Sequence, residues 1–99
     1  RRVLAAALFG SVARGDDSAD SDLDVLLIAT DETSCNKALE GFAQGAQELE
    51  ATFGRRVRPI AYPLAKARRL WRQRKPPIAE AVRDGLVLRG PALRELLGD

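Results

Sequence analysis

Two short apolar runs near the start of the chain, Val3 to Phe9 (VLAAALF) and Leu23 to Ala29 (LDVLLIA), limit its fold more than any other feature. Each is far below the ~18–20 residues a membrane span needs and matches the length of a buried strand. The first ends at Gly10 and reads as a strand buried on both faces, although its alanine triplet is also compatible with a helix. The second, with Val25, Leu26, Leu27 and Ile28, is the firmer strand. The polar segment between them carries Gly10-Ser11, Arg14-Gly15 and, separated from the Gly-Ser pair by ten residues, Asp22-Leu23-Asp24.

Downstream, Cys35, Leu39, Phe42, Ala46, Leu49 and Phe53 recur at spacings of three and four, the pattern of an amphipathic helix closed by Gly54. Gly41 and Gly45 lie inside it, where they permit a close approach to a sheet or are simply tolerated. Val57 to Tyr62 is a third strand, and Pro59 within it favours a sheet edge or a bulge. Leu64 to Arg74 is a basic helix with Leu64, Ala67, Leu70 and Trp71 on one side. Pro76-Pro77 breaks the chain and opens a helix over 78–83. Asp84-Gly85 is a turn, Leu86 to Leu88 a last strand, and Pro91 to Leu97 a terminal helix. This alternation predicts an α/β (α+β) domain with a small mixed sheet of three to four strands and helices packed on one face.

Composition narrows the chemistry. Ninety-nine residues, 45% hydrophobic and 30% charged, suit one globular domain. There is one cysteine, so no internal disulfide, and no histidine, which argues against a structural zinc site. No signal-peptide pattern follows Arg1-Arg2, and a cytoplasmic protein with no membrane association is the simplest expectation. The chain opens on Arg1 and enters a strand at once, so a piece of a longer protein is expected. The net charge of +2 conceals two poles. Seven of fourteen acids fall between positions 16 and 32, and nine of sixteen bases between 55 and 75. Such poles suit a metal together with a polyanion, or else a solvated acidic loop and a solvated basic helix.

The segment between the first two strands has a physical reading of its own. Glycine at Gly10 allows a sharp turn and close approach of a ligand to the backbone. Ser11 to Arg14 can form a first helical turn, whose free N–H groups attract phosphate, with the Ser11 hydroxyl and the Arg14 charge beside them. Asp22 and Asp24 are two apart at a strand start, so both side chains face the same way. Two carboxylates about 4 Å apart repel by roughly 4 kcal/mol at an effective dielectric near 20. That arrangement needs a cation, or a proton on one carboxyl. Hard oxygen ligands select Mg²⁺ or Mn²⁺, and Mg²⁺ readily shares its coordination with substrate phosphates.

Phe9-Gly10-Ser11, Ala13-Arg14-Gly15 and Ser21-Asp22-Leu23-Asp24, followed by a hydrophobic strand, resemble the signature of the DNA polymerase β-like nucleotidyltransferase superfamily, and most closely its minimal nucleotidyltransferase branch. The likeness is dense from Leu8 to Ile28; beyond that it covers only the order of elements. The tail, with a Pro59-Ile60-x-Tyr62 strand and a Leu86-Val87-Leu88-x-Gly90 strand, is similar to nucleotidyltransferase domains fused behind bacterial winged-helix regulators. The resemblance implies a single nucleotidyltransferase domain over residues 1–99 that binds a nucleoside triphosphate with divalent ions and moves its nucleotidyl group to an acceptor hydroxyl on a protein, an RNA end or a small molecule. It implies that Gly10 and Ser11 hold the β- and γ-phosphates and that Asp22 and Asp24 bind metal and are catalytic, with Arg14 at the nucleotide.

The same resemblance implies a third carboxylate from a later strand, and here that position reads Arg58, followed by Pro59. Asp31, Glu32, Glu80 and Asp84 are the candidates to replace it. Without a replacement, the domain works with one metal, or it is a catalytically weakened nucleotide-binding regulatory or antitoxin module that answers to a fused or partner domain, with Arg58 at a phosphate in place of the second metal. A third expectation, a nucleic-acid-binding domain, rests on the basic segment 66–75, with Trp71 stacking on a base; the plainer view has Trp71 packed inward. Cys35 reads as a core residue rather than a nucleophile, since the chain has no histidine to activate it.

Overall fold

The computed structural model describes residues 2–15 and 22–98. Its elements are β1 (Val3–Phe9), α1 (Ser11–Arg14), β2 (Leu23–Ala29), α2 (Glu32–Phe53), β3 (Val57–Pro63), α3 (Leu64–Arg72), α4 (Ile78–Asp84), β4 (Leu86–Arg89) and α5 (Leu93–Leu97). The four strands form one mixed sheet in the order β3-β2-β1-β4. β1 runs antiparallel to both β2 and β4, and β2 runs parallel to β3. The parallel pair needs a long crossover, and α2 supplies it. Pro59 lies on an edge strand, where its missing N–H costs no central ladder bond.

Strand alternation divides the sheet into two unlike faces. Ala5, Ala7 and Phe9 of β1 and Leu26 and Ile28 of β2 point to one side, where they meet Ala67 and Trp71 of α3, Ile78 and Ala81 of α4, and Leu93 and Leu97 of α5. The small side chains of β1 let the helices sit close to the sheet. The Trp71 indole N–H donates to the Gly98 carbonyl at 2.7 Å, tying α3 to the end of α5. Trp71 is therefore packed inward, and the guanidinium of Arg74 covers its ring at 3.7 Å.

α2 lies against the opposite face, chiefly over β3 and β2. The expected packing of helices on one face thus holds for α3, α4 and α5 but not for α2. Asp31 caps this helix by accepting from the Ser34 N–H at 2.8 Å, and Gly54 ends it in the left-handed conformation. Of its residues, only Ser34 and Cys35 are buried. Farther along, the helix diverges from the sheet and Phe53 is 56% exposed. The result is an apolar groove of about 750 Å³ between Ala6, Leu8 and Val25 on the sheet and Phe42, Leu49 and Phe53 on the helix. It also corrects the reading of β1 as a strand buried on both faces: Leu4, Ala6 and Leu8 are only half-buried. No helix among the described residues is long and apolar enough to cross a membrane.

Candidate functional site

The Gly-Ser turn and the paired aspartates meet because β1 and β2 are antiparallel neighbours. Phe9, the last residue of β1, pairs with Asp24 near the start of β2, so the turn that leaves one strand stands over the acids that enter the other. Gly10 has φ 84° and ψ −160°, a region nearly restricted to glycine. A Cβ added there would run into the Asp24 carboxylate. Ser11 and Arg14 are the first and last residues of α1, and Gly15 closes it in the left-handed region with its N–H on the Val12 carbonyl at 3.1 Å.

Asp22 immediately precedes β2, and Asp24 lies on the same side of that strand as the buried Leu26 and Ile28. Both carboxylates stand at the end of the sealed face, and each is about a quarter exposed. The parallel register sets Asp24 beside Arg58 on β3. The Arg58 guanidinium spans both acids, with Nη1 3.5 Å from Asp22 Oδ2 and Nε 3.8 Å from Asp24 Oδ1. Partial burial pushes the Asp24 carboxyl above its ordinary range, Arg58 pulls it down, and the charges of Asp22 and Glu80 push it up again. The net shift is upward, so one guanidinium does not fully offset burial and two acidic neighbours. The donor set, two hard carboxylates beside an open glycine backbone, fits a divalent cation.

The four candidates for a third acid separate by place. Asp31 and Glu32 lie beyond the far end of β2, where Asp31 caps α2 and faces Arg2 at 3.9 Å. A strand of this length carries them roughly 20 Å from Asp24. Asp84, at the end of α4, is bound to its neighbour Arg83 at 3.0 Å. Glu80, in the first turn of α4, is the one whose field reaches Asp24, and it faces Arg14 across 3.9 Å. Among the described residues no three acidic, histidine or cysteine side chains are grouped closely enough to hold a metal. Asp16, Asp17, Asp20 and Ser21, part of the expected acidic pole and signature, lie outside the described residues.

The sequence marks Arg58 but neither its contact with both aspartates nor the pairing of Arg14 with Glu80. The alternation Arg58, Ile60, Tyr62 on β3 held the signal for the first, because Ile60 and Tyr62 pack on the same core as Leu26 and Ile28. The second joins elements far apart in sequence and left no local mark. The apolar groove beneath α2 lies on the other face of the sheet from these acids.

The polymerase beta nucleotidyltransferase family matches the chain over residues 1–72. The chain belongs to that family. Members of this family generally use divalent metals. No curated protein sequence matches it. Among solved structures it is similar to a toxin–antitoxin protein crystallised with AMP-PNP, at 17% identity and a TM-score of 0.58, covering 98% of this chain and 70% of that one. Two mutant forms of the toxin–antitoxin MntA–HpeT are also similar. One has 17% identity and a TM-score of 0.55, covering 97% of this chain and 68% of that one. The other has 15% identity and a TM-score of 0.57, covering 97% and 69%. At such identities these likenesses concern the fold, a four-stranded mixed sheet with helices.

Proposed function

We propose that this domain is a nucleotidyltransferase that takes a nucleoside triphosphate with Mg²⁺ or Mn²⁺ and transfers the nucleoside monophosphate to an acceptor hydroxyl. The observation that carries the reading is the contact between the Gly10 turn and the Asp24 carboxylate. In this reading Gly10 and Ser11 receive the β- and γ-phosphates: glycine lets them reach the backbone, and the Ser11 hydroxyl donates to a phosphate oxygen. Asp22 and Asp24 hold the divalent cation, which when bound neutralises phosphate charge and favours the deprotonated acceptor. The acceptor oxygen bonds to the α-phosphorus, the bond from that phosphorus to the pyrophosphate oxygen breaks, and the hydroxyl proton passes to solvent. Arg14 stands at the end of the turn's short helix, 3.9 Å from Glu80, and in this reading lies at the nucleotide.

Titration calorimetry with ATP and Mg²⁺ tests this reading. The expected result is binding by the natural chain and its loss in the Asp22→Asn, Asp24→Asn double variant. Equal binding by both proteins rejects the site.

A second reading is a regulatory or antitoxin module that binds a nucleotide with little turnover and acts through a protein partner. The contact of Arg58 with both acids favours it, as does the similarity to toxin–antitoxin structures. Pyrophosphate release over a panel of protein, RNA and small-molecule acceptors separates the two: sustained release supports the transferase, and nucleotide binding without release supports the module.

A further inference from the structure

We infer that Arg58 supplies the second positive charge of this centre, so that the chain holds one divalent cation per bound nucleotide rather than two. This inference rests on the proposed nucleotide site. The parallel pairing of β2 with β3 sets Arg58 directly beside Asp24, and its guanidinium approaches Asp22 and Asp24 at 3.5 and 3.8 Å. A second divalent cation shared by these carboxylates would have to enter next to the like charge of a guanidinium. The first cation has a simpler path. Both Arg58 contacts are long, and its side chain is 66% exposed on an edge strand, so it can turn away at little cost. The planar fork then has a matching target in the phosphate oxygens that arrive with the cation. Arg58 thus competes with the cation for the carboxylates in the free protein and cooperates with it once a nucleotide is bound.

That change of role gives a signature no merely structural arginine would produce. Mn²⁺ is counted by electron paramagnetic resonance in the full chain with and without AMP-PNP, alongside Arg58→Gln and Arg58→Asp, with circular dichroism confirming that each variant is folded. With AMP-PNP the natural chain is expected to bind one Mn²⁺ per complex and Arg58→Asp two. Without nucleotide, Arg58→Gln is expected to bind Mn²⁺ several-fold more tightly than the natural chain, because the competing charge is gone. With Mn²⁺ present, Arg58→Gln is expected to bind AMP-PNP about tenfold more weakly. Two Mn²⁺ in the natural complex, one in Arg58→Asp, or unchanged Mn²⁺ affinity in Arg58→Gln each overturn the inference while leaving the nucleotide site standing. Failure of the natural chain to bind AMP-PNP with Mn²⁺ overturns the proposed function as well.

Discussion

The two faces of the sheet are built from the same strands, yet only one is sealed. On the side of α3, α4 and α5, Ala5, Ala7, Leu26 and Ile28 are fully buried. On the side of α2, Val25 and Leu27 are buried, while Leu4, Ala6 and Leu8 are only half-buried and Phe53 of the helix is exposed; the edge strand β4 is exposed along its whole length. The difference follows from where the helices lie. Three short helices cover one face, two of them (α3 and α5) joined by the Trp71–Gly98 hydrogen bond, whereas one long helix crosses the other over β3 and β2 and leaves β1 and β4 beside an open groove. The acids and the glycine turn belong to the sealed face. A rigid base suits carboxylates that must hold their spacing against mutual repulsion.

The sharpest way to break this comparison is to empty one position on each side. Trp71→Ala should cost about 3–5 kcal/mol, and Phe53→Ala, half in water already, less than about 1 kcal/mol. Urea unfolding of both variants reads the contrast, and equal losses would mean that the faces are equally packed. Gly10→Ala comes next. Strain at this φ and ψ should cost about 1–3 kcal/mol, and the added methyl displaces the Asp24 carboxylate, so nucleotide binding measured by calorimetry should fall far more than stability does.

On the open side the expected sign reverses. A Cβ at Gly41 or Gly45 meets nothing within 4 Å, so these glycines permit no close approach to the sheet. Gly41→Ala and Gly45→Ala should each stabilise by up to about 1 kcal/mol through helix propensity, seen as a higher thermal midpoint. The smallest effect is the pH dependence of the α2 cap. The backbone N–H of Ser34 holds Asp31 below its ordinary value of 3.8, with the Ser34 hydroxyl and then Arg2 and Lys37 adding to it. A depressed acid stabilises the fold above that ordinary value, and its contribution fades as pH falls through the lower folded-state pKa. Thermal melts of the natural chain and Asp31→Ala should therefore differ by a few degrees at neutral pH and converge in that acidic window.

Much of the fold was legible because its signals are local. The β2 boundaries, Leu23 and Ala29, follow from an apolar run bounded by polar residues. Gly10, Gly15 and Gly54 mark turns because each adopts positive φ. Trp71 and Cys35 are buried as their helical spacing required. The aspartate pair was legible as same-sided, since alternation along a strand is a backbone property. What α2 covers was not, because periodicity gives a helix an apolar stripe without saying how much sheet lies beneath it.

By itself the sequence determined the elements, the glycine turn and the two same-sided acids, all consequences of steric rules acting over a few residues. Only the tertiary structure decided that Phe9 pairs with Asp24, that Arg58 reaches both acids, that Glu80 rather than Asp31 lies near them, and that α2 leaves its face half open. Strand order and helix placement depend on apolar burial summed over the whole molecule, and that sum has no expression in any single stretch of chain.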